Sequence, residues 1–211
     1  MTSPATPPSD APVRVSRHRL DQTLTTLGAV VVVVLVVAGG LLRWGNTFAD
    51  DYVGDELAAQ NVVFPDADSL SGQGRDDLLD YAGELVDTGD DAEAYASYIK
   101  GHVEGIADGA TYAELSGPER AANAAVSDAI TMGADAGEVA ALQEEAAQIA
   151  GQRDSIFRGE MLRGALLNTY AWSTIGRIAG IAAIAAWLAA AAMAALVIAG
   201  VVHMRREHAV A

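Results

Sequence analysis

Residues 178–202 read IAGIAAIAAWLAAAAMAALVIAGVV, a run of 25 residues without a charge, a proline or a polar amide. Arg177 precedes this run, and two further arginines follow it closely. About 20 apolar residues at about 1.5 Å rise each cross the roughly 30 Å hydrocarbon layer of a bilayer. The alternative is a buried helix of a soluble protein, but the rest of this acidic chain is too small to enclose one. We therefore predict a transmembrane helix over residues 172–202, followed by a cytoplasmic tail over residues 203–211.

A second apolar run covers residues 24–42, in which Thr25 and Thr26 are the only polar residues. Its many valines would favour a strand in water, but a single segment in lipid must satisfy its own backbone hydrogen bonds and is therefore helical. A cleavable signal peptide is the competing interpretation. The run is longer than the apolar region of most signal peptides, and no clear A-x-A site follows it. We predict an uncleaved transmembrane helix over residues 23–43.

The charges divide the chain into a negative centre and positive ends. The net charge is −15, whereas residues 44–170 alone carry 25 acidic and 6 basic residues, a net charge of −19. So acidic a surface argues against nucleic-acid binding, which needs cations to displace counterions from phosphate. By the positive-inside rule, the arginines outside the two runs place both termini in the cytoplasm: Arg14, Arg17, Arg19, Arg205 and Arg206. We expect a multi-pass plasma-membrane protein with residues 44–171 extracytoplasmic.

The first 22 residues are predicted to form a disordered cytoplasmic tail that is rich in proline and basic residues. Four of the six prolines lie within residues 1–13, a segment that can bury too little apolar area to offset its chain entropy. The chain contains no cysteine, which excludes a disulfide, a thiolate metal site and a thiol nucleophile.

Small side chains recur along both apolar runs and would let the helices approach closely, since no hydrophobic effect drives association in lipid. An intrachain antiparallel hairpin is the preferred arrangement, although the same face could form a homo-oligomer and the alanines could reflect composition alone. The candidate packing residues are Gly39 and Gly40 in the first run, and Gly176, Gly180, Ala182, Ala186 and Ala190 in the second. Arg177 itself is interpreted as an anchor at the outer membrane interface near Trp172, the alternative being a functional charge inside the membrane.

The segment between the runs carries the signals of helices and no period-2 stretch typical of a strand. Thr47 and Asp50 form a capping signal, whereas residues 62–65 (VVFP) are expected to be extended because the residue before a proline avoids the helical region. We name residues 62–65 the hook. A helix is predicted over residues 75–86 from its apolar pattern.

Further capping boxes are predicted at Thr88–Asp91, Thr111–Glu114 and Ser116–Glu119. Gly109 is expected to end the helix that begins after Thr88, and Gly133 and Gly137 to break the following one. From residue 138 onward nothing stops a helix, so it can run directly into the second span.

Clustered carboxylates invite a divalent-cation hypothesis, because carboxylate oxygens are ligands for hard cations. None of the clusters has the spacing of an EF-hand loop, and several lie in first helical turns, where the helix dipole favours acids. A solvated acidic face is the preferred interpretation, and no cofactor is predicted. The weak metal candidates are Asp76, Asp77, Asp80, Asp90, Asp91 and Glu93.

Catalytic groupings are missing from the sequence. His102 is the only histidine between the two runs, and there is no H-E-x-x-H, G-x-S-x-G or P-loop pattern. We therefore expect a protein that is not an enzyme.

The most distinctive polar feature is residues 158–164 (RGEMLRG). Glu160 and Arg163 can pair on the helix surface at their spacing of three. We predict an interaction site at Arg158, Glu160 and Arg163, with Gly159 and Gly164 permitting close contact; a charged collar near the lipid headgroups is the alternative.

The layout resembles a family of two-span actinobacterial membrane proteins over nearly the whole chain after the tail. The residues that carry the resemblance are LLRWG (41–45), QNVVFP (60–65), GATY (109–112), FRGEMLRG (157–164) and LLNTY (166–170). The resemblance implies no activity. Similar sequences have been labelled as a subunit of an aromatic ring-opening dioxygenase, and this chain has no constellation of iron ligands to match that label.

Together these patterns predict an all-α protein: two antiparallel transmembrane helices with an acidic helical domain inserted between them outside the cell. The expected role is a membrane-anchored, non-enzymatic accessory protein that docks a membrane or envelope protein. An extracytoplasmic divalent-cation binder or sensor is the alternative. Transport would need a polar path that two apolar spans do not supply.

Overall fold

The computed structural model describes the backbone of residues 17–210 and the side chains of residues 19–206. This part of the chain is helical, without strands. The predictions for the proline-rich tail, Arg14 and the other residues up to 16 lie outside the described residues. The helices are α1 (Arg17–Gln60), α2 (Ala67–Gly72), a 3-10 helix (Asp76–Tyr81), α3 (Gly89–Glu104), α4 (Ser116–Met132) and α5 (Ala136–Val210).

Two helices, α1 and α5, are long and apolar enough to cross a membrane. Only 11% of the most apolar window of each is buried, so most side chains in these windows point away from the rest of the chain. Helix α1 begins at Arg17, ahead of the boundary predicted after residue 22, and passes Thr47 without starting a new helix. No proline interrupts residues 17–60, so the backbone N–H groups near Thr47 find carbonyl partners one turn earlier and need no cap.

The chain divides into two compact units. Within the described residues, the helix-pair unit comprises residues 17–45 and 179–210, and the middle unit comprises residues 46–178.

Small residues line the contact inside the helix-pair unit. Gly39 is buried against Trp187: a β carbon added at Gly39 would overlap the indole ring. At Gly28 an added β carbon would lie 2.8 Å from Cγ2 of Val197, and at Gly200 it would lie 3.1 Å from Oγ1 of Thr25. Glycine at these places lets the two helices approach to a distance that a side chain would prevent.

The predicted packing residues of the second span differ in how deeply they are buried. Ala190 is buried, as is Ala183, seven residues earlier, whereas the predicted Ala182, Ala186 and Ala190 recur at a spacing of four. Gly180, Ala182 and Ala186 are half-buried. A repeat of seven keeps the same side of a helix facing its neighbour over several turns, whereas a repeat of four drifts around it.

Two of the predicted packing glycines do not contribute to the contact inside the helix-pair unit. A β carbon at Gly40 would meet open space. Gly176 belongs to the middle unit, where an added β carbon would lie 2.8 Å from Cβ of Ala49.

The core of the middle unit forms around the hook. Phe64 is 2% exposed and contacts the rings of Tyr81 and Tyr95 at centroid distances of 5.2 and 5.1 Å. The backbone N–H of Phe64 donates to the carbonyl of Glu84, and that of Val86 donates to the carbonyl of Val62, both at 2.9 Å. The hook is therefore extended, as predicted. Helices α1, α2, α3 and α5 supply other buried members of this cluster: Val53, Leu57, Leu70, Ala92, Ala96 and Leu166.

The helix predicted over residues 75–86 is wrong in half of its length. A 3-10 helix covers Asp76–Tyr81, after which Gly83 has a φ of 74° and the chain continues as the extended partner of the hook. Left-handed backbone is available to glycine at little cost, so Gly83 turns the chain out of the helix. Leu79 is 38% exposed as a result.

The helix ends depend on local hydrogen bonds. Thr88 and Asp91 form the predicted capping box at the start of α3. Thr111 and Glu114 exchange the same pair of hydrogen bonds, at 2.8 and 3.3 Å, but around an isolated turn. Ser116 does not cap α4, whose N-cap position is Leu115.

Helix α3 and helix α4 end differently. Helix α3 ends at Glu104, before the predicted Gly109. Gly133 ends α4 in the left-handed conformation, as predicted, whereas Gly137 lies inside α5. Helix α5 is continuous to Val210.

Candidate functional site

The candidate site lies on α5 between residues 150 and 163, where three arginines occur in a unit dominated by carboxylates. Arg153 is the most engaged of them. Its guanidinium lies 4.0 Å from the centroid of the Tyr112 ring, its Nε donates to the Tyr112 carbonyl at 3.3 Å, and it forms an ion pair with Glu119. Arg153 is only 25% exposed. Its contacts fasten the segment before α4 and the first turn of α4 to α5.

Arg158 and Arg163 make shorter-range pairs on the surface. Arg158 contacts Asp154 at 2.8 Å, and Arg163 contacts Glu160 at 3.0 Å. The second pair has the spacing that the sequence suggested. Surface ion pairs of this kind contribute about 0–1 kcal/mol each to folding stability. A partner can therefore replace either pair with its own contacts at little cost in stability.

Exposed apolar side chains lie beside these arginines. Phe157 is 47% exposed and Met161 is 62% exposed, and the Phe157 ring lies 5.6 Å from that of Tyr112. A cleft of about 210 Å³ opens between Tyr112, Glu119, Ala150, Arg153, Asp154 and Phe157. We use the name α5 surface for Tyr112, Arg153, Asp154, Phe157, Arg158 and Met161. Tyrosine, phenylalanine, methionine and arginine are the residues enriched at protein interfaces.

The opposite side of the same helix is fixed in the interior. Ile156 is 1% exposed and packs with Val103 and Leu115. A β carbon at Gly159 would overlap Cγ2 of Val103, whereas one at Gly164 would meet open space. Gly159 therefore serves the packing of α3 on α5 and does not face outward. The α5 surface is consequently presented by a helix that its own core holds in place.

Four of the six acidic metal candidates make hydrogen bonds or ion pairs of their own: Asp76, Asp77, Asp90 and Asp91. Asp76 accepts a hydrogen bond from Ser71 at 2.8 Å, and Asp91 belongs to the α3 capping box. Asp77 pairs with Arg75 at 2.8 Å, and this contact lowers the pKa of the Asp77 carboxyl. Within the residues that the structure describes, no three His, Asp or Glu side chains are grouped to hold a metal ion.

Arg177 forms an ion pair with Asp90 at 2.9 Å. Close by, a β carbon at Gly89 would overlap the Ser173 side chain, so the start of α3 packs directly on α5. The sequence prediction missed this contact because its two residues are 87 positions apart and no local pattern relates them.

Comparisons with known proteins assign no relative to this chain. No protein-family model, no curated protein and no solved structure matches it. Its function must therefore be argued from its own residues.

Proposed function

We propose that this chain is a membrane-anchored, non-enzymatic accessory protein that docks a protein of the cell envelope through the α5 surface. One observation carries the proposal: Phe157 and Met161 are about half exposed or more, next to arginines, on a helix whose other side is buried. Apolar side chains with arginine on a rigid support are typical of the centre of an interface.

The proposed membrane arrangement is two antiparallel spans with both termini in the cytoplasm and residues 44–171 outside. Contacts inside the helix-pair unit support the antiparallel direction: Thr25, Gly28 and Gly39 of α1 approach Gly200, Val197 and Trp187 of α5. The residue numbers rise along one helix as they fall along the other. The small buried fraction of the two apolar windows supports lipid as their surroundings.

A non-enzymatic role is supported by the surroundings of His102. Its ring contacts that of Tyr98 at a centroid distance of 4.8 Å, and no serine or threonine hydroxyl is bonded to it within the described residues. General base catalysis by histidine requires hydrogen-bond reach to a nucleophile.

The cation-binding alternative has weaker support, because four of the six candidate carboxylates are separately engaged in a cap, a hydrogen bond with serine and two ion pairs. Membership of the two-span actinobacterial family also remains a proposal, and it depends on the quoted motif residues alone.

Site-specific photo-crosslinking in living cells tests the docking role. We expect p-benzoylphenylalanine in place of Phe157 or Met161 to form an adduct with one defined envelope protein. The control position is Met132, which is 79% exposed at the end of α4 and should give no such adduct. Identical adducts at all three positions, or adducts that contain only a second copy of this chain, would contradict the proposal.

A further inference from the structure

A second cleft, away from the α5 surface, lies along α3 in the middle unit. It has a volume of about 380 Å³ and is lined by Gln73, Arg75, Tyr98, Gly101, His102, Gly105 and Ile106. This volume falls in the range of about 300–1,000 Å³ that is usual for small-molecule sites.

Arg75 forms the fixed wall of this cleft. Its Nε and Nη2 donate to the two carboxylate oxygens of Asp77 at 2.9 and 2.8 Å. Nη1 donates to the carbonyl of Ser97 at 2.8 Å, and Nη2 also donates to the Ser97 hydroxyl at 2.9 Å. Four of the five N–H donors of a guanidinium are thereby used, which leaves one on Nη1, the atom nearest Gly101.

Three more polar groups of the cleft have no hydrogen-bond partner among the described residues: the Gln73 amide, the Tyr98 hydroxyl and the His102 imidazole. Together with Arg75 they offer both donors and acceptors to a ligand. The Tyr98 and His102 rings and the Ile106 side chain supply apolar surface beside them.

Two glycines keep the floor of the cleft open. Gly101 and Gly105 lie four residues apart and hence on the same side of α3. A β carbon at Gly101 would lie 3.2 Å from Nη1 of Arg75, so a larger side chain would press on the guanidinium and fill the cleft. The floor therefore leaves room for a ring beside the helix backbone.

The charges around the cleft select a neutral ligand. No aspartate or glutamate lines it, so it lacks the carboxylate ligands with which proteins neutralise a bound metal cation. The charge of Arg75 is balanced by Asp77, and the surrounding segment has a net charge of −19, which repels anions.

We infer that this cleft binds the neutral, hydroxyl-bearing ring of a saccharide. The apolar face of the ring lies against Tyr98 and His102, and its hydroxyls bond the Gln73 amide and the remaining N–H of Arg75. For a single saccharide ring we expect weak binding, with a dissociation constant of about 1 mM.

Saturation-transfer NMR on the full chain in lipid nanodiscs tests this site, since detergents with sugar headgroups would compete. The probes are glucose and N-acetylglucosamine, with glucose 6-phosphate as the anion, choline as the cation and indole as a flat ring without hydroxyls. We expect the two neutral saccharides to bind most tightly. Gln73→Ala should weaken binding about three- to tenfold, the effect of one lost hydrogen bond, and Gln143→Ala, on the exposed side of α5, should not.

Three outcomes would overturn the inference. The first is no transfer from either saccharide at tens of millimolar, and the second is tighter binding of a charged probe or of indole. The third is equal weakening by Gln73→Ala and Gln143→Ala. Circular dichroism verifies that the variants keep their helices; should Gln73→Ala lose them, His102→Ala at an exposed position takes its place with the same expected loss.

Discussion

Arg153 and Arg75 have the same kind of role at two places in the middle unit. Each is a partly buried guanidinium that joins segments distant along the chain: Arg153 reaches Tyr112 and Glu119, and Arg75 reaches Ser97. A guanidinium has five donors in a fixed plane, so one side chain can hold several acceptors at once. In a unit with seven lysine and arginine residues, these two are used mainly to hold the structure together.

Replacing Arg153 should loosen the segment that it fastens. Arg153→Ala removes the ion pair with Glu119 and the contact with the Tyr112 ring, so we expect a loss of about 1–3 kcal/mol in local stability. Hydrogen exchange of the amides in residues 107–119 of the full chain should accelerate by about tenfold or more. Arg158→Ala is the matched control, because its pair is exposed and should contribute under about 1 kcal/mol. Equal acceleration by both variants would show that Arg153 has no special role.

At the scale of elements, α5 presents two faces with different surroundings in the middle unit. Its inner face, with Ile156 and Gly159, packs against the interior of the middle unit. Its outer face carries Phe157, Arg158 and Met161. Within the RGEMLRG motif (158–164), Gly159 belongs to the inner face and Arg158 and Met161 to the outer face, because successive residues of a helix point about 100° apart.

The two glycines of this motif give a matched pair of substitutions. Gly159→Ala forces a methyl group against Val103, so we expect it to destabilise the middle unit by about 1–3 kcal/mol. Gly164→Ala enters open space within a helix and should be neutral or stabilising by up to about 1 kcal/mol. Thermal unfolding of the full chain followed by circular dichroism should give a lower midpoint for the first variant only. Similar midpoints would mean that α3 and α5 do not pack closely at Gly159.

Elements that depend on contacts between residues close in sequence were predicted correctly, and elements that depend on contacts between distant residues were not. The Thr88–Asp91 cap and the end of α4 at Gly133 depend on neighbours within one turn, and both were predictable. The structure of the 75–86 segment was not predictable from its local sequence, because its extended end is fixed by hydrogen bonds to the hook, about 20 residues earlier. The Arg153–Glu119 and Arg177–Asp90 contacts, and both clefts, arise from tertiary packing that no local spacing encodes.

On the scale of the whole molecule, the proposed topology places Ser127 outside the cell and Ala209 inside. The chain has no cysteine of its own, so each single-cysteine variant is free of background labelling. We expect a membrane-impermeant maleimide to label Ser127→Cys in intact cells and Ala209→Cys only after permeabilisation. Labelling in the reverse order, or of both variants in intact cells, would contradict the topology.

The fit between Gly39 and Trp187 has an evolutionary consequence. An indole ring that occupies the space of a missing side chain makes the two positions interdependent. A descendant of this chain that gained bulk at position 39 would keep its helices together only by losing bulk at position 187. Across divergent relatives these two positions should therefore exchange volume as a pair, while position 40 varies independently of both.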